Sequence, residues 1–170
     1  MAETTKESKK KFSKGIITVQ ANDFIQKASY KNFDTVDIKI FKTILGKINH
    51  NDTLFKDFYT IDYDDLDEVN IDKKNRFAIV TKSLKKLAAY YVQLEQGANT
   101  IEVGLIQNKF KYERNSSKIV VSVHEDLKPF LLDLSVKYTK YAIANLAELK
   151  NVYSIKLFEL LKSFQSLGYY

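Results

Sequence analysis

The sequence predicts an α+β domain on three observations. Apolar residues recur at helical spacing in three segments, near 35–48, 73–91 and 145–165. Between the second and third, runs at 100–106, 109–113 and 118–124 read as strands, the last two flanking the polar turn Asn115-Ser116-Ser117. With 45% apolar residues and only 5 Gly and 1 Pro in 170 residues, the interior should be mostly regular structure around one core.

Each element has a local cause. Residues 16–20 are a short apolar run suited to an edge strand. Asn22 or Asp23 is placed to cap a short helix reaching about Tyr30. Asp34 or Thr35 opens a second helix with the stripe Val36, Ile40, Ile44, Lys47 and Ile48, thickened by Phe41 and Leu45. It should end near Asn49, before the turn His50-Asn51-Asp52. Phe58-Tyr59-Thr60-Ile61 has the aromatic and β-branched character of a strand, and 64–69 suits a helical turn or two. Asp72 is a good N-cap for the next helix. There Phe77, Val80, Leu84, Leu87, Ala88 and Tyr91 share one face, while Lys74, Asn75, Ala78, Lys82, Lys85 and Lys86 occupy the other. After the hairpin, 125–134 reads as a short helix with Pro129 in its first turn. The last long helix is expected from about Asn145 to Gln165. It would bury Leu146, Leu149, Tyr153, Leu157, Leu160 and Phe164, with Gly168 placed to stop it. No repeat or Gly/Ser/Pro linker interrupts the pattern, so 16–170 reads as one domain behind a disordered basic tail, 1–15.

Charge is segregated. Net charge is +6, and half of it sits in the first 14 residues, where Lys6, Lys9, Lys10, Lys11 and Lys14 face Glu3 and Glu7. From Asp57 to Asp72 there are seven acids and no base; from Lys73 to Lys86 there are six bases and no acid. Lys109, Lys111, Arg114 and Lys118 add a basic hairpin. The acidic stretch is explained by surface exposure, by helix N-terminal charge, or as a local partner of the basic helix.

Several chemistries are excluded. With no Cys there is no disulfide framework, thiolate metal site or thiol nucleophile. The 2 His residues, His50 and His124, are far apart and read as structural or surface residues. The strip 62–68 fails as a calcium loop, since Leu66 and Asp67 stand where an acceptor and a Gly are needed. No Gly-rich phosphate loop and no pair of neighbouring His for a nickase is visible. No nucleophile–base pair can be named, so the expectation is a binding domain, not an enzyme, with no cofactor and no metal. No apolar run approaches the ~20 residues of a membrane span.

An acidic short helix, a tight turn at Asn70-Ile71-Asp72, a basic amphipathic helix and a basic-tipped hairpin make the layout of a winged helix-turn-helix with a β-hairpin wing and a long C-terminal helix. Long cations reach and neutralise phosphates, the small Ala78 lets the helix come close, and an Asn amide can pair with an adenine edge. The candidate DNA-binding residues are Lys73, Lys74, Asn75, Lys82, Lys85 and Lys86 on the helix and Lys109, Lys111, Arg114 and Lys118 on the wing. Arg76 lies toward the core stripe, with pairing to an acid of 57–68 as its alternative use.

Particular motifs sharpen this reading. The run Tyr153-Ser154-Ile155-Lys156-Leu157-Phe158-Glu159-Leu160-Leu161-Lys162 resembles the most recognisable motif of the N-terminal domain of iteron-binding plasmid replication initiator (Rep) proteins. Tyr138-Thr139-Lys140-Tyr141, Leu127-Lys128-Pro129-Phe130-Leu131, Ile71-Asp72-Lys73-Lys74-Asn75, Asn22-Asp23-Phe24-Ile25 and Ala28-Ser29-Tyr30 match in order, while 35–44 and 100–106 depart from the pattern. The resemblance implies the first of two tandem winged-helix domains, with the second absent from this chain. It implies contact with double-stranded DNA at plasmid origin repeats, mainly through backbone phosphates, a share in a homodimer, and host initiator and helicase-loading factors as partners. It also implies a prokaryotic, cytoplasmic, DNA-associated protein. Whether the chain is an isolated first domain or a naturally short relative stays open. So do two other functions: a self-association module with negligible DNA affinity, and a stand-alone winged-helix repressor.

Overall fold

The second helix is where the core is anchored. In the computed structural model, which describes residues 15–112 and 116–165, β1 (Ile17–Ala21), α1 (Asn22–Lys27) and β2 (Ala28–Ser29) lead to α2 (Thr35–Leu45). Asp34 caps α2 by accepting from Asp37 N–H, and Asp37 returns the bond to Asp34 N–H, a reciprocal capping box. Nothing lets this helix face water: every residue from Asp37 to Leu45 is buried, including Lys39, Lys42 and Thr43. The expected stripe of Val36, Ile40, Ile44, Lys47 and Ile48 does not include those three polar positions. The helix ends at Gly46, short of Asn49. α1 is capped by neither Asn22 nor Asp23; Ala21 stands at its N-cap, and the Asn22 side chain accepts from the Thr139 hydroxyl instead.

β3 (Tyr59–Asp62) and a 3-10 helix (Tyr63–Val69) follow, then α3 (Arg76–Ala89). Two expectations are corrected here. Asp72 does not cap α3; it accepts from Lys74 N–H at 2.9 Å in a turn before the helix, which begins at Arg76. The helix also stops before Tyr91, which opens a strand and is exposed. The hairpin that directly follows α3 is therefore β4 (Tyr91–Gln96) with β5 (Asn99–Gly104), joined at Gly97-Ala98, where Gly97 supplies φ 59°. β2 pairs with β4 to complete a β2-β4-β5 sheet. In a winged helix the hairpin attached to the second helix of the pair is the wing, and this one carries no cation: no Lys or Arg lies between Lys86 and Lys109.

The basic hairpin is the next one, β6 (Ile106–Tyr112) with β7 (Lys118–Val123), in a separate β3-β7-β6 sheet. α3 packs on β6 and, on its other side, on α2. The helical pair is thus α2 and α3, with β3 and the 3-10 helix inserted between them, rather than the short acidic helix and α3. Gly104 gives room for the His124 ring, which a Cβ there would meet at 2.5 Å. A 3-10 turn (Glu125–Leu127) runs into α4 (Lys128–Leu131), with Pro129 in the first turn. β8 (Tyr138–Ala142) closes on β1.

α5 (Val152–Gln165) starts seven positions later than expected, behind a 3-10 turn (Ile143–Leu146) that buries Leu146. Its buried face is also inverted. Ile155, Glu159 and Ser163 point inward, while Tyr153, Leu157, Leu161 and Phe164 are exposed. The cause is a buried polar cluster. Lys42 Nζ on α2 lies 2.8 Å from Glu159 Oε1, 2.6 Å from Gln20 Oε1 and 3.1 Å from the Tyr30 hydroxyl. Tyr141 also donates to Glu159. Both ends of the ion pair are fully buried. Burial alone would push the Lys42 ammonium down, but Glu159 and Tyr30 facing it raise it above the ordinary lysine range. Burial pushes the Tyr30 phenol up to about 12 and Tyr141 well above the ordinary value, with Glu159 adding to both.

Candidate nucleic-acid interface

α3 presents one continuous face to solvent. Asn75, Ala78, Lys82, Lys85 and Ala89 are all exposed, spaced three and four apart down the helix. Lys74 is exposed just before it. The opposite face buries Val80, Leu84 and Leu87 in the core. Asn75 sits at the N-cap position with no side-chain capping bond, which leaves its amide outward.

Arg76 is the brace of this region and takes its alternative use. It is buried and donates to Tyr63 C=O at 2.8 Å, to Asp67 Oδ1 at 2.8 Å and to Ile71 C=O. Lys73 reaches the same Asp67 from its exposed side at 3.3 Å. Burial would raise the Asp67 carboxyl, but Arg76 and Lys73 hold it below the usual carboxylate range. Within the acidic stretch, Asp67 is therefore the local partner of the basic segment, and other acids are used elsewhere. Asp65 pairs with Lys47 at 2.8 Å, and Glu68 accepts from Ile16 N–H at 3.0 Å.

Tyr63 connects α3 to the basic hairpin. Its carbonyl holds Arg76, and its N–H donates to Ser117 C=O at 2.7 Å. The tip-proximal end of β6–β7 is thereby held at the N-terminal end of α3. Lys111 and Lys118 are exposed there, Lys111 paired in register with Val120 and Lys118 with Asp62. A cleft of about 490 Å³ at the start of α3 is lined by Tyr63, Asp64, Lys73, Lys74, Asn75 and Phe77. Arg114 lies outside the described residues, as does the basic tail.

Two of the expected residues sit elsewhere. Lys86 leaves the outward face and turns to α2, 2.5 Å from Asp37 and 3.4 Å from Asp34. The bond to Asp37 is the main cause of its raised pKa. Lys109 stands midway along β6, its ammonium 5.8 Å above the Phe58 ring. Of the set, the structure gathers Lys73, Lys74, Asn75, Lys82, Lys85, Lys111 and Lys118 around α3 and one hairpin end. Sequence reasoning missed Lys137, Lys140 and Lys162, which line a second cleft between β8 and α5, and Lys156, whose ammonium donates to Ile25 and Ala28 carbonyls. Their signal was hidden because they are scattered in sequence, and only the packing of β8 beside α5 brings Lys137, Lys140 and Lys162 to one cleft.

The chemistry available is phosphate neutralisation by long cations around a helix that can approach a groove, with a free amide at its start. Among the described residues no group of His, Asp and Glu is arranged to hold a metal ion, and no helix is long and apolar enough to cross a membrane.

Comparison with known proteins agrees with this architecture. A solved structure of Pi initiator protein in complex with iteron DNA matches with a TM-score of 0.70 at 14% identity, over 89% of this chain and 65% of that one. At that identity the likeness establishes the shared winged-helix fold. A probable replication protein rep of Bifidobacterium longum (strain NCC 2705) is 22% identical over 152 residues, 88% of this chain and 51% of the relative. The chain thus spans about half the length of that curated relative. The family described as "Initiator Replication protein, WH1" matches residues 17–162, nearly the whole of the described fold. With its helix pair, its wing sheet and most of its terminal helix inside that match, the chain belongs to the replication initiator family and represents its WH1 domain.

Proposed function

We propose that this chain is the first DNA-contacting domain of a plasmid replication initiator and that it grips duplex DNA at origin direct repeats through backbone phosphates. The observation that carries the reading is the exposed stripe Asn75, Ala78, Lys82 and Lys85 on α3, held beside Lys111 and Lys118 by the Ser117–Tyr63–Arg76 bridge. Lysines outnumber base-reading side chains on this face, so affinity should be salt-dependent and sequence preference shallow. The matched Pi initiator is bound to iteron DNA in its solved structure, which supports duplex DNA as the partner. The same reading expects a contribution to a homodimer and to recruitment of host replication factors, and no catalysis. Charge reversal of Lys82 and Lys85 to Glu tests it. Both side chains are exposed, so folding should survive while duplex binding weakens by at least about tenfold. Unchanged binding would remove α3 from the interface.

A further inference from the structure

The hairpin attached to α3 carries charge of the wrong sign for a duplex. β4 and β5 pair Tyr91 with Gly104, Gln93 with Glu102 and Glu95 with Thr100. Side chains alternate along a strand, so these positions share one side of the hairpin, while Val92, Leu94 and Val103 bury the other. Glu95 and Glu102 are both exposed there, diagonal neighbours across the strand pair, so their fields add. A third acid, Asp126, stands at the base of the hairpin, where its Oδ2 accepts from Gly104 N–H at 3.1 Å. No Lys or Arg between Lys86 and Lys109 answers them.

α3 therefore runs from a basic end to an acidic one. At its start stand Lys73 and Lys74 and, through the Ser117–Tyr63–Arg76 bridge, the hairpin end with Lys111 and Lys118. The positive end of the helix dipole is at that start. The exposed stripe Ala78, Lys82, Lys85 and Ala89 then covers about 16 Å. It ends where Tyr90 leads into the wing, at the negative end of the dipole. Glu102 faces Gln93, which is only about 7 Å of strand beyond Tyr91. That is within the ~10 Å over which charges act at about 0.1 M salt.

We infer that the β4–β5 wing is an electrostatic fence. Glu95 and Glu102 repel the phosphate backbone from the C-terminal end of α3, so the duplex seats against the N-terminal end. This rests on the duplex reading above and adds to it which end of α3 bears the DNA. Like charge placed beside a binding face suppresses the wrong placement rather than strengthening the right one. Lys82 and Lys85 stand in mid-helix and would accept a backbone from either end of α3 if the wing were neutral. The two acids are positioning residues, acting through where the phosphates are allowed to lie.

The chain has no Cys, so a single introduced Cys can carry an iron chelate that cuts nearby DNA. Ala78→Cys marks the start of α3 and Ala98→Cys the wing tip, and both alanines are exposed. With a direct-repeat duplex bound to the whole chain, Ala78→Cys should cut, and Ala98→Cys should cut at least about tenfold less. Glu95→Gln with Glu102→Gln removes the fence without adding a cation. It should tighten duplex binding about threefold or more at about 50 mM salt, and by less at about 200 mM, with the melting temperature unchanged. In that background Ala98→Cys should begin to cut. Asp23→Asn with Asp133→Asn removes the same charge from two exposed acids outside the hairpin and should leave affinity within about twofold of the parent. Equal cutting from Ala98→Cys and Ala78→Cys, or a wing pair that binds no tighter than the control pair, overturns the fence and leaves the duplex reading standing. No duplex binding by the parent chain at about 50 mM salt overturns the duplex reading itself, and the fence with it.

Discussion

Replacing Lys42 with Met removes one half of a fully buried ion pair and leaves the other half in place. Glu159 would keep Tyr141 and the Gln20 amide as donors, at 3.3 Å for the amide, but lose the ammonium at 2.8 Å. Stranding one charge of a buried pair costs about 3–5 kcal/mol, whereas replacing both partners by neutral groups of similar volume is often close to neutral. For a chain of this size each kcal/mol moves the melting temperature by roughly 2–4 °C. Lys42→Met should therefore melt about 6–20 °C below the parent, and Glu159→Gln, which strands the ammonium, should do likewise. The double variant should recover much of the loss, with a coupling energy of about 2 kcal/mol or more in a double-mutant cycle. Urea denaturation followed by far-UV circular dichroism measures all four corners. Single losses under about 1 kcal/mol, or strict additivity, would refute the claim that this pair holds α5 on α2 and fixes which face of α5 is outward.

Three further outcomes follow from the same geometry. Arg76→Lys cannot reproduce three bonds from one planar fork, so it should cost about 2–4 kcal/mol in denaturant melts and weaken duplex binding by loosening the start of α3. A parent-like Arg76→Lys protein would contradict its role as the brace. Lys118→Ala should weaken duplex binding more than Lys109→Ala, because Lys118 follows the Ser117–Tyr63 bridge to α3 whereas the Lys109 ammonium is turned onto Phe58; equal effects would displace the proposed footprint. Burial holds the Lys156 ammonium down to about 8, below its unfolded value of 10.5. The unfolded chain then binds more protons between those values, so Lys156 contributes stability that grows as pH rises from about 8 toward 10.5 and is lost as pH falls through about 8. Lys156→Met should flatten that part of the stability profile relative to the parent, and an unchanged slope would reject the assignment.

Local signals carried much of the fold into the sequence. Asp34 announces the start of α2, and the strand-like run 118–124 announces β7. The failures are non-local. Tyr91 continues the α3 stripe at helical spacing but also begins the alternation Val92, Leu94 of β4, and only pairing with β5 and β2 decides between the two periods. Missing that hairpin moved the wing to β6–β7. The α5 face was inverted because Glu159 looks like a surface residue until Lys42, on a distant helix, is seen waiting for it. At the candidate site, the outward placement of Lys82 and Lys85 was legible because segregated charge on one helix face needs no tertiary information. Lys86 shares that local pattern and differs only through Asp37 on α2.

The central claim is a phosphate-gripping face built from α3 and one hairpin end. The most direct measurement is anisotropy binding of the whole chain to an origin-type direct-repeat duplex and to a scrambled duplex, from about 50 to 200 mM salt. Lys74, Lys82, Lys85, Lys111 and Lys118 together neutralising ~5 phosphates give a log–log slope near −4.5 and a loss of roughly 500-fold over that range. Removing Lys82 and Lys85 should make the slope shallower by about 2. The account predicts that steep slope with similar affinity for both duplexes; a flat salt response, or no binding at the lowest salt, would contradict it.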